Sequence, residues 1–207
     1  MNFFSDETYI SWLDQLAEND YVIIDDFISE ELFGIVSIYF SARLAEDDLA
    51  KAGIGALGTY TVDKQIRGDY VYWLDESRDM ALQPFFAQMN EFVSKVKRFC
   101  FLSISDVECH LAYYPTGSFY KRHVDQFKER NNRILSFVLY LNPNWKEEHE
   151  GELVIYKDEK TIKVAPIKSR LILFKSAGLE HEVALTHNER FSLTGWMLNN
   201  PVGLGFL

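Results

Sequence analysis

An imidazole and a carboxylate stand two residues apart at His123 and Asp125, at the end of a stretch whose β-branched and aromatic pattern predicts a strand. Alternate strand residues share a face, so the two groups converge on one side of a sheet. A third metal-capable side chain, His181, opens another predicted strand 58 residues later. Two imidazoles and one carboxylate on one side of a metal leave three positions open, the facial arrangement that suits non-haem iron(II). On its own the His-x-Asp pair has a simpler reading, a hydrogen bond at a strand end. Arg190 strengthens the metal reading, because it begins the last predicted strand nine residues after His181 and a short turn would set it beside that histidine. A buried arginine needs an anion, and a ligand carboxylate gripped by both arms of the guanidinium would supply one. Considered alone, Arg190 would be read as a surface ion pair with Glu189.

Such groups need a scaffold, and 207 residues are enough for one domain with a sizeable core. The hydrophobic share of 47% is ordinary, whereas 16 Phe and 11 Tyr are many, so much of the aromatic content belongs in that core. No repeat, low-complexity tract or Pro/Gly/Ser linker divides the chain. The element type changes near residue 100 instead. Before it, helical periodicity predicts helices over 5–18, 29–47 with Ser29 as N-cap, and 77–99, with short strands at 21–27, 59–62 and 70–74. After it come eight short strands, at about 106–114, 119–124, 133–141, 152–156, 160–165, 170–175, 180–185 and 190–198. The expected fold is α+β, a double-stranded β-helix (jelly roll) with the N-terminal helices packed on one outer face. Residues 1–100 read as a helical support region of the same globular unit, 101–199 as the jelly-roll core and 200–207 as a tail.

A net charge of −10 repels phosphate backbones and argues against a general nucleic-acid binder. No run reaches the roughly 18 apolar residues of a membrane span, and the first ten residues carry acidic groups where a secretory signal would carry basic ones. A cytoplasmic protein without a membrane partner is the expectation, and no residue pattern bears on oligomeric state. Cys100 and Cys109 fit no disulfide framework or zinc spacing and read as buried thiols.

With these pieces in order the chain resembles a known family. His123-Val124-Asp125, the distal His181 and Arg190 after eight intervening residues are the signature of the 2-oxoglutarate/iron(II) dioxygenases. More narrowly, the chain is similar to the prolyl 4-hydroxylases related to the enzymes that act on the hypoxia-inducible factor. Ile66-Arg67-Gly68-Asp69 followed by Trp73, Tyr114-Pro115 ahead of Tyr120, Leu139-Tyr140-Leu141-Asn142 with Trp145, Gly151-Glu152-Leu153, Arg170-Leu171 and Trp196 match in order. The likeness runs from about residue 20 to 199, and the loop from Tyr114 to Tyr120 departs from the glycine-rich version of the animal enzymes.

The resemblance implies Fe(II) held by His123, Asp125 and His181, with 2-oxoglutarate and O2 as co-substrates and L-ascorbate as a possible reductant. It implies that Tyr140 joins Arg190 on the distal carboxylate of 2-oxoglutarate, that Tyr114 lines that pocket, and that Thr194 and Trp196 close its wall. It also implies a proline-containing protein or peptide as substrate, with Arg67 and Asp69 at the rim. Succinate and carbon dioxide would leave as a C–H bond is hydroxylated, and no protein nucleophile is required.

Two other readings stay open. The same chemistry could serve a small metabolite or free amino acid, and a cupin-like module could bind metal and ligand without oxidising anything. Asp125 argues against an iron halogenase, which needs a halide in the carboxylate's place. An ion pair with Arg133 is at least as good a reading of Asp69 as a substrate contact. His149 and His187 read as solvated and His110 as a satisfied strand histidine, while Trp12, Phe33, Phe40, Phe85 and Phe86 fall at helix-core positions.

Overall fold

Two serines start the first helices. Ser5 accepts a hydrogen bond from the Thr8 amide and opens α1 (Asp6–Asn19), and Ser29, the predicted cap, accepts from Leu32 and opens α2 (Glu30–Ala45). The computed structural model describes residues 3–53, 65–126 and 132–199. The third helix, α3 (Gln83–Cys100), begins six residues later than the helical periodicity suggests. Pro84 fits the first turn, and the preceding residues are held otherwise: buried Asp79 accepts from the Asp75 amide, Tyr39, Tyr72 and Arg78, fixing 75–79 as a turn. The predicted strand at 59–62 and the tail 200–207 lie outside the described residues.

Strands β1 (Tyr21–Ile24), β2 (Ala50–Lys51) and β3 (Tyr70–Trp73) come from the N-terminal part. Eight more follow Cys100: β4 (Asp106–Tyr114), β5 (Tyr120–His123), β6 (Arg133–Tyr140), β7 (Leu153–Lys157), β8 (Lys160–Val164), β9 (Leu171–Lys175), β10 (Glu180–Val183) and β11 (Arg190–Leu198). They form two antiparallel sheets, β1-β9-β6-β11-β4-β3-β2 and β5-β10-β7-β8. This is the expected α+β jelly roll, and β1, β2 and β3 widen its larger sheet.

The alternation of side chains along the larger sheet separates two cores. Leu135, Phe137 and Leu139 on β6, Leu171 and Leu173 on β9, and Leu193 and Met197 on β11 face the helices and pack with Leu13, Val36, Phe40, Phe85 and Phe92. Val138, Tyr140, Ile172 and Phe174 face the smaller sheet and meet Leu153, Ile155 and Val183. Each fully buried large apolar side chain contributes about 1.5 to 3 kcal/mol. The inward positions of β4, β6 and β11 are therefore the ones free to carry chemistry: His110, Ala112 and Tyr114; Ser136, Val138 and Tyr140; Arg190, Ser192, Thr194 and Trp196.

One glycine permits this close stacking. A methyl on Gly195 would fall 2.6 Å from both Cys109 Cβ and the Glu108 carbonyl oxygen, and closer still to the Phe137 ring. Gly195→Ala is expected to cost about 1 to 3 kcal/mol through overpacking, read as a lower urea midpoint with an unchanged slope. An unchanged midpoint would mean that β11 yields more than this packing implies. Cys109 is buried, and burial pushes its thiol up to about 12. Cys100, at the exposed end of α3, is only partly buried, contrary to the expectation of two buried thiols.

Candidate metal and co-substrate site

The smaller sheet aligns the two histidines, for in the antiparallel pair of β5 and β10 His123 and His181 are direct partners. A separation of 58 residues thus becomes one cross-strand contact, with ring centroids 4.3 Å apart. Asp125, just past β5, turns back between them: its two oxygens lie 3.6 Å from His123 Nε2 and 3.7 Å from His181 Nε2. One ligand atom from each residue lies within 4.8 Å of the others, a spacing that one ion can span.

Each histidine is set by its own backbone. His123 Nδ1 lies 2.7 Å from the Lys121 carbonyl oxygen, and His181 Nδ1 lies 3.0 Å from that of Leu179. A carbonyl accepts only from N–H, so both imidazoles carry a proton on Nδ1 and turn Nε2 toward Asp125. Burial lowers the His181 imidazole despite the pull of Asp125, which keeps it neutral. For Asp125, burial works toward the neutral acid, but His181, His123 and the Ser136 hydroxyl outweigh it and hold the carboxyl far below its usual range. The site therefore presents two imidazole nitrogens and one carboxylate, the donor types a metal needs.

Ser136 was not anticipated. Its hydroxyl donates to Asp125 at 2.6 Å from the inward face of β6 and lies 2.8 Å from Ser176 Oγ. Outer partners of this kind typically contribute 10- to 100-fold to metal affinity. Ser136→Ala is expected to weaken metal binding by about that factor in a chelator-competition titration, and unchanged affinity would remove Ser136 from the site.

Farther along the same inner face, Arg190 is 3% exposed and no carboxylate of the described residues pairs with it. Nε donates to the Gly151 carbonyl at 2.8 Å, and Nη1 reaches Ser192 Oγ at 3.3 Å. Gly151 can present that carbonyl because its φ is +75° and a methyl there would press on Thr186. The guanidinium lies 4.9 Å from the Tyr114 ring centre and 5.2 Å from that of Tyr140. Tyr140 is fully buried, its hydroxyl lacks a hydrogen-bond partner, and burial pushes it up to about 12 against the pull of Arg190. A cation without an anion beside a hydroxyl without an acceptor is a cradle for a carboxylate. The surface ion pair between Arg190 and Glu189 is not formed; Glu189 instead accepts from the Tyr113 hydroxyl.

Thr194 and Trp196 continue this face on β11, and Arg133, paired with Glu108, lies 3.6 Å over the Trp196 ring. Asp69 pairs with Arg67 rather than with Arg133: Arg67 Nε and Nη2 reach both carboxylate oxygens at 2.7 and 2.5 Å. Two residues on one extended segment meet more readily than partners on different strands. His110 lies inward between Trp73 and Trp196, with centroids at 4.8 and 5.5 Å, and its buried Nδ1 has no partner. It is not the satisfied histidine expected from the sequence, and burial pulls it down to about 3, hence neutral.

The chain is similar to proteins of one known superfamily. A model of the 2OG-Fe(II) oxygenase superfamily matches residues 109–198. A PKHD-type hydroxylase of Parvibaculum lavamentivorans is 33% identical over 89 residues, 42% of this chain and 40% of that protein, so the match spans less than half of the curated relative. The crystal structure of a Pseudomonas putida prolyl-4-hydroxylase superposes with a TM-score of 0.84 at 32% identity, covering 93% of this chain and 99% of that one. A Trichoplax adhaerens prolyl hydroxylase, solved with a hypoxia-inducible factor oxygen degradation domain peptide fragment, gives 0.85 at 26% identity, covering 94% and 90%.

Proposed function

This chain belongs to the 2OG-Fe(II) oxygenase superfamily and stands with its prolyl 4-hydroxylases, and from that premise we propose that it hydroxylates a prolyl residue of a protein or peptide. The co-substrates are 2-oxoglutarate and O2, and the other products are succinate and carbon dioxide. The observation that carries the reading is a metal donor set on the smaller sheet that meets the inner face of the larger sheet, on which a buried arginine has no carboxylate of the described residues to pair with. The peptide in the Trichoplax structure supports a peptide-sized substrate.

The residues present fit iron(II): two imidazole Nε2 atoms and an anionic carboxylate on one side leave the other side open to ligands. Iron bound there supplies oxygen activation and C–H oxidation, with 2-oxoglutarate as the reductant. The chain's own work is orientation. Lys121 and Leu179 carbonyls fix the tautomers, and Ser136 keeps Asp125 ionised and aimed. Arg190 and Tyr140 hold the distal carboxylate of 2-oxoglutarate, Tyr114 packs along the guanidinium, and Thr194 and Trp196 wall the chamber. No side chain acts as a nucleophile. Ascorbate belongs to the proposal as a reductant that rescues oxidised iron, as does a cytoplasmic setting, with which the unbonded Cys100 and Cys109 are compatible.

The test is succinate formation by anaerobically iron-loaded protein on admitting air, with and without proline-containing peptides and cell extract, followed by mass spectrometry of the peptides. Iron- and oxygen-dependent succinate that rises with peptide, with one oxygen added at proline, is the expected result. Turnover stimulated by extract small molecules alone would point to a metabolite or free amino acid. Bound iron with no turnover under any condition would leave a non-catalytic metal and ligand module.

A further inference from the structure

Strand β5 is the edge of the smaller sheet, and His123 at its end is the less buried of the two histidines. Two features support it from outside. The first is backbone: the segment at 66–68 pairs along the free edge of β5, with Lys121 donating to Ile66 at 2.9 Å, Gly68 donating to Phe119 at 3.0 Å, and Arg67 opposite Tyr120. The second is a stack of side chains. The Tyr120 ring lies on the His123 imidazole at 3.7 Å between centroids and 20° between planes, and the Arg67 guanidinium lies 4.2 Å from the Tyr120 ring centre.

Arg67 is itself held. Its fork closes on both oxygens of Asp69, whose side chain is fully buried, and Nη1 reaches the Gly53 carbonyl at 3.3 Å. A guanidinium engaged at its edge by a carboxylate still offers its flat face, and a cation over an aromatic ring is attractive. The order Asp69, Arg67, Tyr120, His123 therefore leads from a buried ion pair to the candidate metal ligand without a gap. An imidazole covered by a ring at this distance cannot turn about its Cβ–Cγ bond unless Tyr120 moves, and Tyr120 moves only if Arg67 does.

We propose that Arg67 and Tyr120 are positioning residues for the metal, fixing the plane of the His123 ring so that Nε2 points across to Asp125. This rests on the reading of His123 as a ligand. It gives the 66–69 segment a role toward the metal rather than at the substrate rim alone, and it links the buried Arg67–Asp69 pair to the ligand through an unbroken run of contacts.

The test is cobalt(II) binding, followed by its visible ligand-field absorption and by competition with a chelator, so that no turnover is needed. Tyr120→Leu removes the stack and is expected to lower affinity by about 10- to 100-fold, the range for outer partners of metal-bound histidine, and to change the absorption band. Tyr120→Phe keeps the ring and should restore both. The neutral double variant Arg67→Gln/Asp69→Asn removes the guanidinium plane from Tyr120 without leaving a buried charge unpaired, and should shift affinity in the same direction by a smaller factor. Circular dichroism identifies any variant that fails to fold, and the double variant then decides in place of Tyr120→Leu.

Wild-type affinity and an unchanged spectrum in the folded variants would overturn the proposal. So would intact cobalt binding combined with a raised KM for a peptide, which would return Arg67 and Asp69 to the rim. If the wild-type protein itself takes up no cobalt, the metal reading of the site falls and this proposal falls with it. A wild type that binds cobalt but turns over no 2-oxoglutarate would instead overturn the proposed reaction and leave the stack standing.

Discussion

The His181→Ala protein is expected to fold, to bind no iron(II) and to turn over no 2-oxoglutarate. His181 is 4% exposed, sits opposite His123 and aims Nε2 at Asp125 from 3.7 Å. Without it two ligands remain, and no other described His, Cys, Asp or Glu joins the group. Thermal unfolding reads the loss independently of activity. A ligand that binds only the folded state at a hundred times its Kd stabilises it by about 2.7 kcal/mol, roughly 5 to 10 °C for a chain of this size. Manganese(II) should give the wild type a shift of that order and the variant none. A shift of equal size in the variant would show that the metal sits elsewhere.

The same substitution should change the metal-free protein far less. Asp125 would lose one of the two imidazoles that hold its carboxyl low, but would keep the Ser136 hydrogen bond and His123. The contrast between a modest effect on the metal-free protein and a complete loss of the metal-dependent increment is therefore the signature of a ligand rather than of a packing residue.

Much of this was legible in the sequence because strands alternate. Once β4, β6 and β11 were placed, residues of one parity on each strand had to share the inner face, which is why Tyr114, Tyr140, Arg190, Thr194 and Trp196 lie on one surface. The meeting of His123 with His181 was a different matter. Periodicity places each on a strand, yet only sheet order makes β5 and β10 neighbours; a jelly roll allows that neighbourhood, but the spacing of the residues does not specify it. Ser136 was invisible because nothing in the spacing of 11 residues from Asp125 distinguishes it from any other strand serine. The choice of Arg67 as partner for Asp69 turned on local geometry, since both residues lie on the short segment that crosses from the edge of β5 to β3. The late start of α3 likewise came from a buried carboxylate, Asp79, whose four partners outcompete helix propensity over 75–79.

Arg190→Ala is expected to raise the Kd for 2-oxoglutarate by tens- to thousands-fold while leaving metal affinity as it is. A guanidinium 3% exposed, with one good hydrogen bond to Gly151 and a long one to Ser192, has most of its donors and all of its charge uncompensated by the described residues. A buried charge without a partner is strongly unfavourable, so a ligand carboxylate recovers in binding what the folded chain forgoes. Removing one member of such a desolvated pair typically costs about 2 to 5 kcal/mol, which sets the expected factor. Arg190→Lys keeps the charge but loses the planar fork and the stacking between Tyr114 and Tyr140, and should recover only part of the affinity. Tyr140→Phe should weaken binding less than Arg190→Ala, because it removes a neutral donor rather than a charged one. Isothermal titration with 2-oxoglutarate on the manganese-loaded protein separates these outcomes from turnover. If Arg190→Ala binds the co-substrate as tightly as the wild type, its distal carboxylate is held elsewhere, and the unpaired guanidinium awaits a different anion.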